Sequence, residues 1–80
     1  MRATVTVNLK DGVLDPQGKA IEHALRNLGF SNVAEVRAGK VISFVIDGTD
    51  ADAARGQAAD MARRLLANTV IERFDVEVHP

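Results

Sequence analysis

The chain has 80 residues, ten basic against eleven acidic, a formal net charge of −1, and no cysteine, tryptophan or tyrosine. That length gives one domain, residues 1–80, with a thin stability margin, because a domain this small buries only about 60% of its unfolded surface. The composition excludes disulfide staples and thiolate metal sites, and scattered basic residues with three phenylalanines exclude a nucleic-acid face built on charge and stacking.

Ala3, Val5, Val7 and Leu9 alternate with Arg2, Thr4, Thr6 and Asn8, which predicts a strand with one buried face. Lys10-Asp11-Gly12 ends it. Asp15-Pro16 then supplies an N-cap acceptor followed by the residue best suited to the first helical position. Ala20, Ile21, Ala24, Leu25 and Leu28 form an apolar stripe at helical spacing, and Glu22 and Arg26 form an i,i+4 pair expected on the outside. Gly29 is the stop, so the first helix runs from about Pro16 to Leu28.

Val33–Arg37 and Val41–Asp47 are β-rich runs joined at Ala38-Gly39, which reads as a hairpin. The second run is apolar on both sides, Val41 and Val45 on one and Ile42, Phe44 and Ile46 on the other. Such a strand is either central under two layers or covered by a partner. Thr49-x-x-Asp52 reads as a variant capping box. Ala51, Ala54, Ala58, Met61, Ala62, Leu65 and Leu66 give the second helical stripe, with Asn68 as its left-handed stop. Phe74, Val76 and Val78 alternate with Arg73, Asp75 and Glu77 in a last strand. The order is βαββαβ, an α+β ferredoxin-like two-layer sandwich: an antiparallel sheet with both helices on one face.

The inventory for chemistry is sparse. Ser31 and Ser43 have only His23 and His79 as prospective bases, and no nucleophile–base pair forms from them. Asp50 and Asp52 fall in a first helical turn, where the dipole already favours negative charge. No metal-ligand cluster or glycine-rich phosphate loop is evident. A signal-peptide core is lacking and the longest apolar run, Val41–Ile46, is far too short to span a bilayer, so a cytoplasmic protein without a membrane partner is expected.

Three features ask for more than a structural reading. Gly18 lies in the first turns of a helix, where glycine costs up to ~1 kcal/mol against alanine. Arg37 and Lys40 should face each other across the Ala38-Gly39 turn, a mildly unfavourable pairing that a partner's carboxylate or phosphate would relieve. Val41 and Val45 present the surplus apolar face. Asp15, Gly18, Arg37 and Lys40 are thus candidate partner-docking residues, and Val41 and Val45 a candidate dimer interface.

Three segments carry a family resemblance: Gly12-Val13-Leu14-Asp15-Pro16-Gln17-Gly18, Arg37-x-Gly39-Lys40, and Leu66-Ala67-Asn68-x-Val70-Ile71-Glu72. With them the chain resembles the PurS family, the small subunit of formylglycinamidine ribonucleotide synthase, over nearly its whole length. It departs from the family at Thr69, where many members carry proline, and at Phe74, where tyrosine is frequent. The resemblance implies a non-catalytic assembly subunit, homodimeric or tetrameric. It would join a large ATP-dependent synthetase (PurL) to a glutaminase (PurQ) and help couple ammonia release to its use in purine synthesis. It also implies no catalytic, cofactor or metal residues in this chain, with ATP and Mg held by the synthetase. Rival readings on the same topology are an ACT-like ligand-binding module and an acylphosphatase-like enzyme. The second would need a phosphate loop where Asp11 and Asp15 stand, and a metallochaperone would need cysteines.

Overall fold

The computed structural model describes residues 1–80. Strand β1 (Arg2–Leu9) is followed by helix α1 (Pro16–Asn27), strand β2 (Gly39–Val45), helix α2 (Ala51–Met61), a π-helical turn (Ala62–Leu66) and strand β3 (Glu72–His79). The sheet order is β2-β1-β3, with β1 antiparallel to both neighbours. This is the expected α+β, ferredoxin-like class.

The alternation in β1 sends Ala3, Val5 and Val7 to one face, where all three are fully buried. Register places Phe44 and Ile42 of β2, and Val78, Val76 and Phe74 of β3, on that same face. Helix α2 lies over it through Ala54 and Ala58, continued by Ala62 in the π turn. Small side chains at every fourth position let helix and sheet approach closely. The α2 packing falls on β3 and β1, and β2 is left largely uncovered.

Several expectations are corrected. Val33–Arg37 is not a strand and no hairpin joins it to β2: residues 31–38 make no backbone–backbone hydrogen bond. They run back along α1 instead. Strand β2 is therefore an edge, not the centre. Its Gly39 is required by close approach rather than by a turn, since a Cβ there would strike the Asn8 side chain and come within 2.9 Å of the Val7 carbonyl. Asp50, not Thr49, caps α2, accepting from the Asp52 and Ala53 amides at 3.0 and 3.2 Å. The last turn widens, with the Ala67 N–H donating to the Ala62 carbonyl. The extra residue rotates Leu65 outward, 82% exposed, and brings Leu66 and Ala67 inward. Asn68 is not left-handed. Its side chain accepts from the Val70 amide, while Glu72 accepts from the Asn68 amide.

Helix α1 behaves as predicted at its ends and unlike prediction along its length. Asp15 caps it, Pro16 opens it, and Gly29 (φ 103°) closes it, with the Gly29 and Phe30 amides bonded to the Arg26 and Leu25 carbonyls. Its apolar stripe, however, packs on neither the sheet nor α2. Leu28 is 74% exposed and Ile21 40%. The molecule is correspondingly long, 48 × 26 × 14 Å. The long axis is close to an eight-residue strand of about 27 Å and a twelve-residue helix of about 18 Å laid end to end. The radius of gyration of 15.9 Å exceeds the roughly 12 Å of a compact 80-residue domain.

Candidate functional site

Helix α1 and the extended residues 31–38 form an arm, and polar side chains bind its two halves together. The Arg26 guanidinium donates to the Val33 carbonyl at 2.9 Å, and the Val36 N–H donates to Glu22 Oε1 at 3.3 Å. Glu22, expected on the outside, has a side chain only 15% exposed, with Arg26 at 3.6 Å. Immediately before Val36, Glu35 takes φ 55°, a left-handed conformation uncommon outside glycine. Gly18 and Glu22 face the extended segment. The apolar stripe is turned roughly 90° from them around the helix.

Asp15 and Arg37 hold the base of the arm. Asp15 is buried. Its Oδ1 accepts from the Gly18 N–H at 2.9 Å, capping α1, and its Oδ2 accepts from the Ala38 N–H at 2.8 Å, tying the helix start to the entry of β2. Those two bonds, assisted by the Arg37 guanidinium and opposed by desolvation, hold its carboxyl below the usual carboxylate range. Arg37 donates to the Val13 and Lys10 carbonyls at 2.8 and 3.2 Å, closing the same junction from the other side. An open groove of about 410 Å³ beside it is lined by Asp11, Lys19, Glu35 and Arg37 among others.

The four residues singled out for docking therefore separate. Asp15, Gly18 and Arg37 meet at the arm's base, while Lys40 stands on β2 opposite Val7. Arg37 and Lys40 do not face each other across a turn, which removes the charge opposition expected from a hairpin. The space left by Gly18 is filled from within the chain. A Cβ there would collide with the Val36 carbonyl and lie 2.8 Å from Asp15 Oδ2. Val41 and Val45, each 64% exposed, form an apolar pair on the sheet face opposite α2. The sequence reading missed Glu22 and Val36 as partners of this junction. The i,i+4 spacing of Gly18 and Glu22, which puts both on one helix face, is the signal that could have found them.

The family model for PurS, phosphoribosylformylglycinamidine (FGAM) synthase, matches residues 2–80. The PurS subunit of that synthase from Bacillus subtilis is 43% identical over 77 residues, 96% of this chain and 90% of its own. The crystal structure of Methanocaldococcus jannaschii PurS, one of the subunits of formylglycinamide ribonucleotide amidotransferase, superposes with a TM-score of 0.88 at 38% identity, covering 98% of this chain and 94% of that one. A chain in the structure of PurLQS from Thermotoga maritima is similar at a TM-score of 0.86 and 28% identity, covering 95% and 93%. A match over essentially every residue, in sequence and in fold, means that this chain belongs to the PurS family, the small subunit of FGAM synthase in purine biosynthesis.

Proposed function

We propose that this chain is the assembly subunit of a three-component FGAM synthase, acting as a homodimer that joins a PurL-type synthetase to a PurQ-type glutaminase. The observation that carries the reading is its full-length likeness to a chain from an assembled PurLQS complex. In the reaction, ammonia released from glutamine replaces the amide oxygen of formylglycinamide ribonucleotide at the expense of ATP, giving FGAM, glutamate, ADP and phosphate. The nucleophile–base chemistry and the ATP and Mg sites are assigned to the partner chains. This subunit's part is to hold the two active sites in the relation that ammonia transfer needs. Its locale is the cytoplasm.

For self-association, the supporting quantity is surface. A compact monomer of 8.6 kDa exposes about 4,700 Å², whereas this chain exposes 5691 Å². The surplus of roughly 1,000 Å² is comparable to what one partner contributes to a standard interface. We place Val41 and Val45 in a contact between copies, and the arm's base with Lys40 at the contact with the larger subunits, where the exposed cations Lys19 and Lys40 suit acidic partner groups. The test is reconstitution: synthetase and glutaminase chains should give full glutamine-dependent FGAM formation only when this chain is added. Full glutamine-dependent rate without it would overturn the reading.

A further inference from the structure

Strand β3 forms the edge of the sheet farthest from β2. The Lys10 N–H donates to the Ile71 carbonyl at 2.8 Å, which makes Lys10 and Ile71 a hydrogen-bonded pair continuing the β1–β3 register. Such pairs alternate along an antiparallel ladder. Arg73, Asp75, Glu77 and His79 therefore turn their backbone groups toward β1. Phe74, Val76 and Val78 turn theirs outward, where no strand lies. The register runs unbroken over all eight residues of β3, and the strand lacks the lysine, proline or bulge that commonly blunts an edge.

The side chains define what kind of strand fits there. On the α2 side Phe74, Val76 and Val78 are only half-buried, an apolar margin that α2 does not fully cover. On the other face Asp75 and Glu77 stand exposed, and β1 sets Thr6 and Thr4 beside them rather than cations. Asp75 takes part in no ion pair, and Glu77 has only His79, at 3.4 Å.

We infer that the β3 edge receives a strand of a larger subunit in which apolar residues alternate with lysine or arginine. Its apolar side would extend over Phe74, Val76 and Val78, and its cations would lie opposite Asp75 and Glu77. The inference rests on the assembly role proposed above and names one of its contacts. A second copy of β3 fits less well. Two-fold pairing centred on Val76 sets Asp75 of each copy against Glu77 of the other, and pairing centred on Asp75 sets the two Asp75 side chains together. Like charges directly opposite are destabilising. Centring on Phe74 avoids both, but it calls on the Glu72 amide, already bonded to the Asn68 carbonyl at 2.7 Å. It also runs Val78 past the start of the strand.

Amide exchange in the reconstituted complex tests this directly, because a strand at this edge protects alternate amides. When the full-length chain is mixed with synthetase and glutaminase chains, exchange at the Phe74, Val76 and Val78 N–H groups should slow by about tenfold or more. The Asp75 and Glu77 amides, already bonded to β1, should change little. Independently, Asp75→Lys/Glu77→Lys should raise the concentration of this chain needed for half-maximal glutamine-dependent FGAM formation by about tenfold or more. Asp47→Lys/Asp60→Lys, the same change of charge at exposed positions elsewhere, should leave that concentration within about twofold. Failure of the larger chains to bind this one at all defeats the assembly reading itself. Binding that restores FGAM formation without new protection at the three amides, or with the Asp75→Lys/Glu77→Lys chain assembling normally, leaves that reading standing and overturns the edge contact. Protection that appears as this chain alone is concentrated gives the edge to a second copy and overturns it too.

Discussion

Adding one methyl group at Gly18 tests the account of the arm's base most sharply, because two effects of opposite sign compete there. Gly18 is inside α1, and by helix propensity alone alanine should stabilise the chain by up to ~1 kcal/mol. Against this, the new Cβ would collide with the Val36 carbonyl and sit 2.8 Å from the Asp15 carboxylate. The first obstacle is backbone, held through the Val36–Glu22 bond on one side and the Ala38–Asp15 bond on the other, so it cannot rotate away. Overpacking of this kind costs about 1–3 kcal/mol, leaving a net destabilisation of about 1–2 kcal/mol. For a chain of this size Tm should fall by about 5–15 °C. The assay is thermal unfolding followed by circular dichroism at one fixed protein concentration, since the proposed pairing would make Tm concentration-dependent. Amide exchange adds a local readout: the Ala38 N–H should lose protection in the variant, as the segment carrying it is pushed off the helix. A Tm that is unchanged or raised would refute the reasoning and return Gly18 to an ordinary helix position.

Further outcomes follow from the same geometry. Asp15 has a folded pKa below its ordinary 3.8, so its stabilisation is present above about pH 4 and lost as pH falls through the folded value. Tm of the unaltered chain should therefore drop more steeply on acidification below pH 4 than that of Asp15→Asn, measured as a Tm-versus-pH series. Arg37→Ala removes two bonds to backbone carbonyls and should cost about 0.5–1 kcal/mol, whereas Lys40→Ala should stay within about ±0.5 kcal/mol in urea unfolding. Leu65→Lys should be equally mild, because the π turn faces Leu65 to solvent. Ala58→Leu, fully buried between α2 and the sheet, should cost about 1–3 kcal/mol by overpacking, and equal costs at the two positions would contradict the π turn.

What the sequence made legible was local chemistry. The alternation of β1, the Asp15-Pro16 start and the Gly29 stop of α1, and the fourfold alanine spacing of α2 each follow from contacts within a few residues, and each is found where expected. The failures share a different cause. Val33 and Val36 have strand-like side chains, but β-propensity measures fit to a pleated neighbour, and in one copy their neighbours are Glu22 and Arg26 of a helix. The stripe of α1 is apolar as its spacing predicts, yet Ile21 and Leu28 are exposed, because periodicity marks an apolar face without saying what, if anything, covers it. Thr49 and Asp50 are adjacent acceptors, and only backbone geometry chooses between them. Leu65 was lost to a single extra residue in one turn. At the site, Gly18 stands out in sequence as a glycine within a helix offered for partner docking, whereas the backbone that fills its space is Val36, eighteen positions along the same chain.

The two kinds of contact in the arm do different work, and this explains why its most distinctive residues are polar. Hydrogen bonds accepted by Asp15 and Glu22 and donated by Arg26 and Arg37 each contribute only about 0.5–1.5 kcal/mol net, too little to favour an extended arm over a compact one on their own. They are directional, however, and together they set where α1 points. The apolar stripe is the reverse: any surface that covers it gains about 25 cal/mol per Å², with no preference of direction. A surplus of about 1,000 Å² can offset an association cost of several kcal/mol only if the arm arrives already aimed. Asp15-Pro16-Gln17-Gly18 meets that condition at the base: a cap, a fixed φ, and a gap into which the Val36 carbonyl fits. The run that marks the family is thus the element that aims the helix, and under the proposed self-association the aliphatic residues it aims would supply the energy.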